Sequence, residues 1–300
     1  MKKTPIKLSN TAITMYNDCA RKFKYHYIDK LVSKEKGSPL YFGAAVDEGL
    51  THLLKTKDLQ GALFRFHRFW AKQSDNTYTK VRLRDNPNVK YSKSDLDEHL
   101  LTAADRKHME KSQCPVVEWY SLKRKGELLI KAYYDQILPL IDTVDSTQLV
   151  LTLDDGNGNI LKGVIDLVCK MKDGRFVILD NKTSSVKYTE ESVKESFQLS
   201  LYKLLAQENG MEVDGLGYLV LNKKVGKKGI VNTQVIINDS VNDDDLNVVL
   251  DKVNEVLDNI KQENFIPNFN SCKSYFGKCQ FYNKCHENDD SNLICIKKEE

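Results

Sequence analysis

Asp166, Asp180 and Lys182 are the residues of this chain whose types and spacing could do chemistry. Both acids sit against apolar runs. Gly163-Val164-Ile165-Asp166 lies within the stretch Ile160 to Met171, and Asp180-Asn181-Lys182 follows Phe176 to Leu179. Between the runs stands Lys172-Asp173-Gly174, a turn signal, so the two predict a β-hairpin that is apolar on both faces and central in its sheet. If the turn is a three-residue loop with Gly174 left-handed, Asp166 faces Asp180 with Cβ atoms about 5 Å apart. Lys182, two residues on, shares their face. A two-residue Asp-Gly turn would send Asp180 to the opposite face.

Two carboxylates so close in an apolar sheet repel each other unless something pairs with them. A hard divalent cation such as Mg²⁺ or Mn²⁺ is a natural partner, because it takes carboxylate and carbonyl oxygens, and the carbonyl of Asn181 could add one. Lys182 would then orient a water or steady a phosphate oxygen. The plainer alternative is a strand-end salt bridge. After a loop at Thr183 to Tyr188, a helix is predicted from about Glu190 to Asn209, acidic in its first turn and followed by Gly210. It places Gln198 and Tyr202 on one face, beside a stripe of Phe197, Leu201, Leu204 and Leu205.

Gly-Val-Ile-Asp166, then Asp180-Asn-Lys182-Thr183, then Gln198-x-x-x-Tyr202 resembles the motif series of the PD-(D/E)XK nuclease superfamily, and within it the RecB-like branch of AddB-type, CRISPR-adaptation and phage exonucleases. The resemblance implies an α/β fold, a restriction-endonuclease-like mixed central sheet flanked by helices. It also implies metal-dependent hydrolysis of DNA phosphodiesters. By matching motif, Asp166 and Asp180 are metal ligands, Lys182 is the catalytic lysine, and Gln198 and Tyr202 position the site and the DNA. The branch carries Gly-x-x-x-His early in the chain, with the histidine as a further ligand. Here the sequence reads Gly43-Ala-Ala-Val-Asp47, so an aspartate takes that place. Oxygen from Asp47 suits Mg²⁺ or Mn²⁺. Glu48 could deputise for it, whereas His52 is out of register. The same change is what an inactivated relative would show.

Seven cysteines, an odd number, and no visible secretory segment argue against a disulfide framework and for a reduced, cytoplasmic setting. Three of them cluster as Cys272-x6-Cys279-x5-Cys285, and Cys19 stands far upstream in a basic, aromatic stretch. Thiolates favour zinc or iron–sulfur clusters, and a 4Fe-4S cluster takes four cysteines. One distant cysteine plus three near the C-terminus resembles the iron–sulfur clasp of the AddB-type and CRISPR-adaptation nucleases, although their C-terminal spacing is two residues and then five. The alternative is a zinc knuckle of Cys272, Cys279, Cys285 and His286, with Cys19 a buried thiol. Cys169 lies in the apolar strand and is expected in the core.

The elements that must position these residues follow from periodicity. Ser9 or Asn10 can cap a first helix that carries Cys19 near its end. Helices are predicted over 41–72 and 95–139, a strand over 148–153, further strands over 217–221 and 230–237, and an amphipathic helix over 241–262 capped by Asn242. The expected organisation is an N-terminal arm (1–35), a helical subdomain (36–145), the nuclease core (146–262), a cysteine-cluster segment (263–285) and a frayed tail (286–300). The stretch 74–93 reads as an exposed connection. A net charge of +3 is too small to argue for nucleic acid. Locally, residues 1–36 hold nine Lys/Arg against three Asp/Glu, and the loop Lys223-Lys224-Val225-Gly226-Lys227-Lys228-Gly229 could grip a DNA backbone. No apolar run reaches the roughly 18 residues of a membrane span. No Walker-type loop is present, which excludes a helicase motor in this chain.

The sequence therefore predicts a Mg²⁺- or Mn²⁺-dependent DNA exonuclease. Its partners are DNA ends or single strands, with a helicase, integrase or recombination protein as a possible companion. The alternatives are a nuclease-fold DNA-binding subunit that does not cut, and a zinc-stabilised structural protein.

Overall fold

The Lys172-Asp173-Gly174 turn sets the register of the sheet. In the computed structural model, which describes residues 5–34, 38–77, 81–82, 90–91, 115–226, 229–274 and 277–296, Gly174 has φ +97° and the N–H of Met171 donates to the carbonyl of Arg175. Eight strands matter here: β1 (Lys7–Ser9), β2 (Leu31–Ser33), β3 (Ile141–Asp154), β4 (Ile160–Met171), β5 (Phe176–Ser184), β6 (Gly215–Asn222), β7 (Thr233–Asn238) and β8 (Leu293–Cys295). The helices are α1 (Asn10–Asp18), α2 (Ala20–Phe23), α3 (Ser38–Thr56), α4 (Leu59–Thr77), α5 (Pro115–Ala132), α6 (Glu190–Lys194), α7 (Phe197–Glu208), α8 (Asp243–Lys261) and α9 (Tyr282–Glu287).

Strands β1, β4, β5, β6 and β7 lie side by side in that order, and β3 also pairs with β4. The β5–β6 and β1–β4 pairs are parallel and the rest antiparallel, so the sheet is mixed. Because β3 occupies one whole edge of β4, β1 and β5 must share the other. β5 pairs with residues 167–170 and β1 with residues 160–162. The edge of β4 from Gly163 to Asp166 is left between them, a gap in the ladder at the acidic motif.

Each face of the sheet carries its own helices. Leu8, Ile13, Ile165, Val168 and Ile178 pack with Leu201 and Leu205 of α7 and Val249, Val253 and Val256 of α8. On the other face Leu167, Cys169, Val177 and Leu179 pack with Phe42, Val46 and Leu50 of α3, Phe66 and Trp70 of α4, and Leu129 of α5. In a regular strand Ile165 and Leu167 would share a face. Here they belong to opposite cores, so the alternation of β4 is interrupted at Asp166.

Several expectations are refined. β3 begins at Ile141, well before the predicted start at 148. The single helix predicted over 190–209 is two, because Ser196 leaves the helical region (φ −78°, ψ 104°) and caps α7 by accepting from the N–H of Leu199. Its Oγ also accepts from the Tyr218 hydroxyl at 2.6 Å. Residues 286–296 are not frayed: α9 runs to Glu287, and β8 returns to pair antiparallel with β2, burying Leu293. Three-residue strands so far apart in sequence leave no local pattern to read. Of the predicted 95–139 helical stretch, 95–114 lies outside the described residues. So do the side chains of Trp119 and Tyr120, most of the connection at 74–93, and Lys227 and Lys228. Asn242 caps α8 through a reciprocal pair with Asp245, as its sequence suggests.

Ser196→Ala removes the cap of the helix that carries Gln198. It is expected to lower the unfolding free energy by about 1 kcal/mol in urea melts, while Ser196→Thr, which keeps a hydroxyl, retains most of it.

Candidate active site

Asp166 and Asp180 come just past Leu167–Leu179, where the pairing of β4 with β5 ends. The backbone N–H of Asn181 donates to Asp166 Oδ2 at 2.9 Å, spanning the gap. Asp180 is 3 % exposed and its Oδ2 lies 2.6 Å from Lys182 Nζ. Lys182 Nζ also donates to Gln198 Oε1 at 2.9 Å and lies 5.5 Å from the Tyr218 ring centroid. The amide nitrogen of Gln198 donates to Asp180 Oδ1 and to the Tyr202 hydroxyl, both at 2.8 Å. Gln198 thus reads both members of the Asp180–Lys182 pair at once: its carbonyl meets the ammonium and its N–H₂ meets the carboxylate. The salt bridge expected as the plainer alternative is present, but it is embedded in this network.

Gly163 explains how α7 comes this near. A Cβ there would lie 2.7 Å from Leu205 Cδ1 and about as close as 3.2 Å to the Tyr202 ring. The glycine of Gly-Val-Ile-Asp is therefore a packing requirement of the Gln-x-x-x-Tyr helix.

Asp47 joins from the other layer. It lies on α3, beside the buried Val46, and reaches the gap. The side-chain nitrogen of Gln148 lies 3.1 Å from Asp47 Oδ2 and 3.2 Å from Asp166 Oδ1. Glu48 lies 3.9 Å from Arg65 and His52 3.9 Å from Asp58. Sequence reasoning missed Gln148, Tyr218 and Tyr133, whose buried hydroxyl has no hydrogen-bond partner. The signal for Gln148 was the Asp155-to-Gly158 turn: its register, continued along β3, sets Gln148 opposite Asp166.

The acids feel one another. Burial first, then Asp166, Asp180 and Glu48, pushes the Asp47 carboxyl up to about 7. Burial and then Asp166 push Asp180 up to about 6 against the pull of Lys182. Burial raises Asp166 too, against the Asn181 N–H, the Lys182 charge and the Gln148 amide. Burial acts to lower Lys182, but the charge and hydrogen bond of Asp180, with Tyr218 and Asp166, together outweigh it and the ammonium is held above its ordinary value. Among the described residues no group of three or more His, Cys, Asp or Glu side chains stands in metal-holding geometry. The donor set nonetheless suits a hard cation: Asp47, Asp166 and Asp180 are carboxylates whose charges repel one another.

Cys19, Cys272, Cys279 and Cys285 line one small cavity, with Pro267 and Phe281. The N–H of Cys279 donates to the Cys272 carbonyl at 2.9 Å, closing the loop between them, and His286 Nε2 lies 3.4 Å from Cys272 Sγ. Burial first raises the thiols of Cys272, Cys279 and Cys285, with the neighbouring sulfurs adding to it, against the Phe281 N–H and Lys22 at Cys279 and Arg21 at Cys285. Cys169 is buried in the core under the sheet, as expected.

The family model described as the PD-(D/E)XK nuclease superfamily matches residues 7–286. The chain belongs to the PD-(D/E)XK nuclease superfamily. A crystal structure of a "Putative exonuclease" from Eubacterium rectale is similar to it in fold, with a TM-score of 0.52 at 12% identity, covering 98% of this chain and 91% of that one. No curated protein matches the chain. Among the described residues no helix is long and apolar enough to cross a membrane.

Carboxyls whose folded values lie above their unfolded ones keep protons that the unfolded chain has released. Their contribution is therefore complete below about pH 4 and is lost as pH rises through their folded values, about 6 for Asp180 and about 7 for Asp47. The metal-free protein is expected to lose more melting temperature between about pH 5 and pH 8 than its Asp47→Asn variant does. Equal slopes in calorimetric melts would contradict a shared carboxylate site.

Proposed function

We propose that the chain is a Mg²⁺- or Mn²⁺-dependent deoxyribonuclease, an exonuclease of the RecB-like branch acting on DNA ends or single strands. One observation carries this reading: Asp47, Asp166 and Asp180 crowd one gap in the sheet with Lys182 bound beside them. A salt bridge alone needs one acid for one lysine, and the two further buried acids call for a cation.

Asp47, Asp166 and Asp180, with the Asn181 carbonyl, would hold the ion. When bound, it supplies an activated water and offsets charge building on the phosphate. Lys182 presents its ammonium toward a phosphate oxygen or the attacking water. Gln198 fixes that ammonium through its carbonyl, and Tyr202 fixes Gln198. The branch assignment is supported by the four cysteines around one cavity, from the two ends of the chain. They would hold a 4Fe-4S cluster with a structural role; zinc at Cys272, Cys279, Cys285 and His286 is the alternative, favoured by the contact of His286 with Cys272. Arg21 and Lys22 lining this cavity, Lys24 on the neighbouring one, and Lys223 and Lys224 beyond β6 supply cationic groups for a DNA backbone.

A second reading, a non-cutting DNA-binding subunit that supports a helicase or integrase, draws on Asp47 in place of the family's histidine. Incubating the protein with end-labelled single- and double-stranded DNA and Mn²⁺ separates the two. Lys182→Ala is expected to lower cleavage at least about 10²-fold and Asp180→Ala to abolish it, with both variants still folding. Full activity in either variant removes the site.

Anaerobically purified protein is expected to contain iron and to absorb near ~400 nm. Stoichiometric zinc without iron selects the knuckle.

A further inference from the structure

Gln148 is the one non-glycine residue among those described that sits inside a strand with a left-handed backbone, at φ +54°. A strand residue adopts that region against its steric preference, so the surrounding structure must hold it there. The pairs that flank it keep one register, after a shift between Val144 and Ser146. Thr147 faces Leu167 and Leu149 faces Ile165, so no residue has been inserted and Gln148 stands directly opposite Asp166. The same point is where β4 loses its alternation between the two cores. The distortion delivers one side chain into the gap. There its Nε2 lies 3.1 and 3.4 Å from the two oxygens of Asp47 and 3.2 Å from Asp166 Oδ1. Facing two carboxylates fixes the amide's orientation, because its oxygen would be repelled and its N–H₂ offers one donor to each.

We infer that Gln148 is the positioning residue of the metal site: in the metal-free protein its amide nitrogen takes the cation's place between Asp47 and Asp166, and loading displaces it. This rests on the metal-dependent reading above. It accounts for two facts together. The acids crowd one gap, and a neutral donor bridges two of them while Lys182 holds the third. The bridge keeps the buried acids at hydrogen-bonding distance from a common point. It also sets a threshold that a weakly held cation does not cross.

The test uses the full-length protein, stripped with chelator, and Mn²⁺ alone as the probe. Calorimetric titration and thermal melts compare wild type with Gln148→Glu and Gln148→Asn. Glutamate is isosteric but replaces the donor by a fourth acid. The metal-free melting temperature is expected to fall by several degrees, while Mn²⁺ binds about tenfold more tightly, as an added charged ligand dictates. Asparagine tolerates the left-handed backbone but is too short to bridge. Its metal-free melting temperature is expected to fall as well, with a gain on adding Mn²⁺ at least as large as that of wild type. A role in packing alone predicts the same loss with and without Mn²⁺. Gln148→Glu binding Mn²⁺ no more tightly than wild type, or Gln148→Asn gaining less from it, overturns the inference. If wild type binds Mn²⁺ and the variants do not differ from it, only the role of Gln148 falls. If wild type takes up no Mn²⁺, the metal-dependent reading falls with it.

Discussion

Burying several carboxylates around one point is the constraint to which the rest of this structure answers. Each acid in the gap has been given a partner of a different kind. Asp180 has an ammonium, Asp166 a backbone N–H, and Asp47 a side-chain amide shared with Asp166. None of these partners neutralises the set, since one lysine faces three acids. The raised carboxyls of Asp47 and Asp180 express what is left over. A cation held there would relieve that residue of repulsion at once, so any affinity of the site would draw on the same repulsion that raises these carboxyls.

The gap also explains how residues from opposite layers meet. A continuous sheet would keep α3 and α7 apart, because each belongs to a different core. Their side chains converge where the edge of β4 is paired neither with β1 nor with β5. From one side α7 brings Gln198, admitted by the absence of a side chain at Gly163. From the other, α3 brings Asp47. The same missing ladder bonds leave backbone groups such as the Asn181 N–H free to bind a carboxylate. An interruption that would weaken a structural sheet thus provides the donors and the access that a site needs.

How much of this the sequence discloses depends on the range of the interaction that encodes it. The hairpin register was legible because a three-residue turn fixes it locally, and Asp166, Asp180 and Lys182 followed from that register. Gln198 and Tyr202 were legible as neighbours on one helical face. Asp47 was found only by motif, since nothing local says that a helix over 38–56 reaches a strand more than a hundred residues later. Gln148 was read as the first residue of a strand. Its significance lies in a backbone torsion and in two distant carboxylates, and hydrophobic periodicity records neither. The break at Ser196 was missed for a related reason: its cap competes with a helical pattern that continues on both sides of it. The pairing of β8 with β2 leaves no trace in either segment alone.

The two segments that bring the four cysteines together are joined by several other contacts. The Tyr16 hydroxyl donates to the Asn264 carbonyl and Arg21 donates to that of Phe265, while Phe265 stacks on Phe23. Asn268 and Ser271 both donate to the carbonyl of Asp18, next to Cys19. These contacts, with the β2–β8 pairing, tie the same two segments together, so an ion or cluster at the four cysteines would not be alone in closing the long loop. Its effect would also fall on the short path from Cys19 back through α1 to β1. That helix is a rigid nine-residue rod, capped at its far end by Ser9, the last residue of β1. β1 in turn forms one border of the gap that holds the acids. Fixing Cys19 would therefore fix the border of the candidate site, a geometric link between the cysteine cavity and the acids at the sheet.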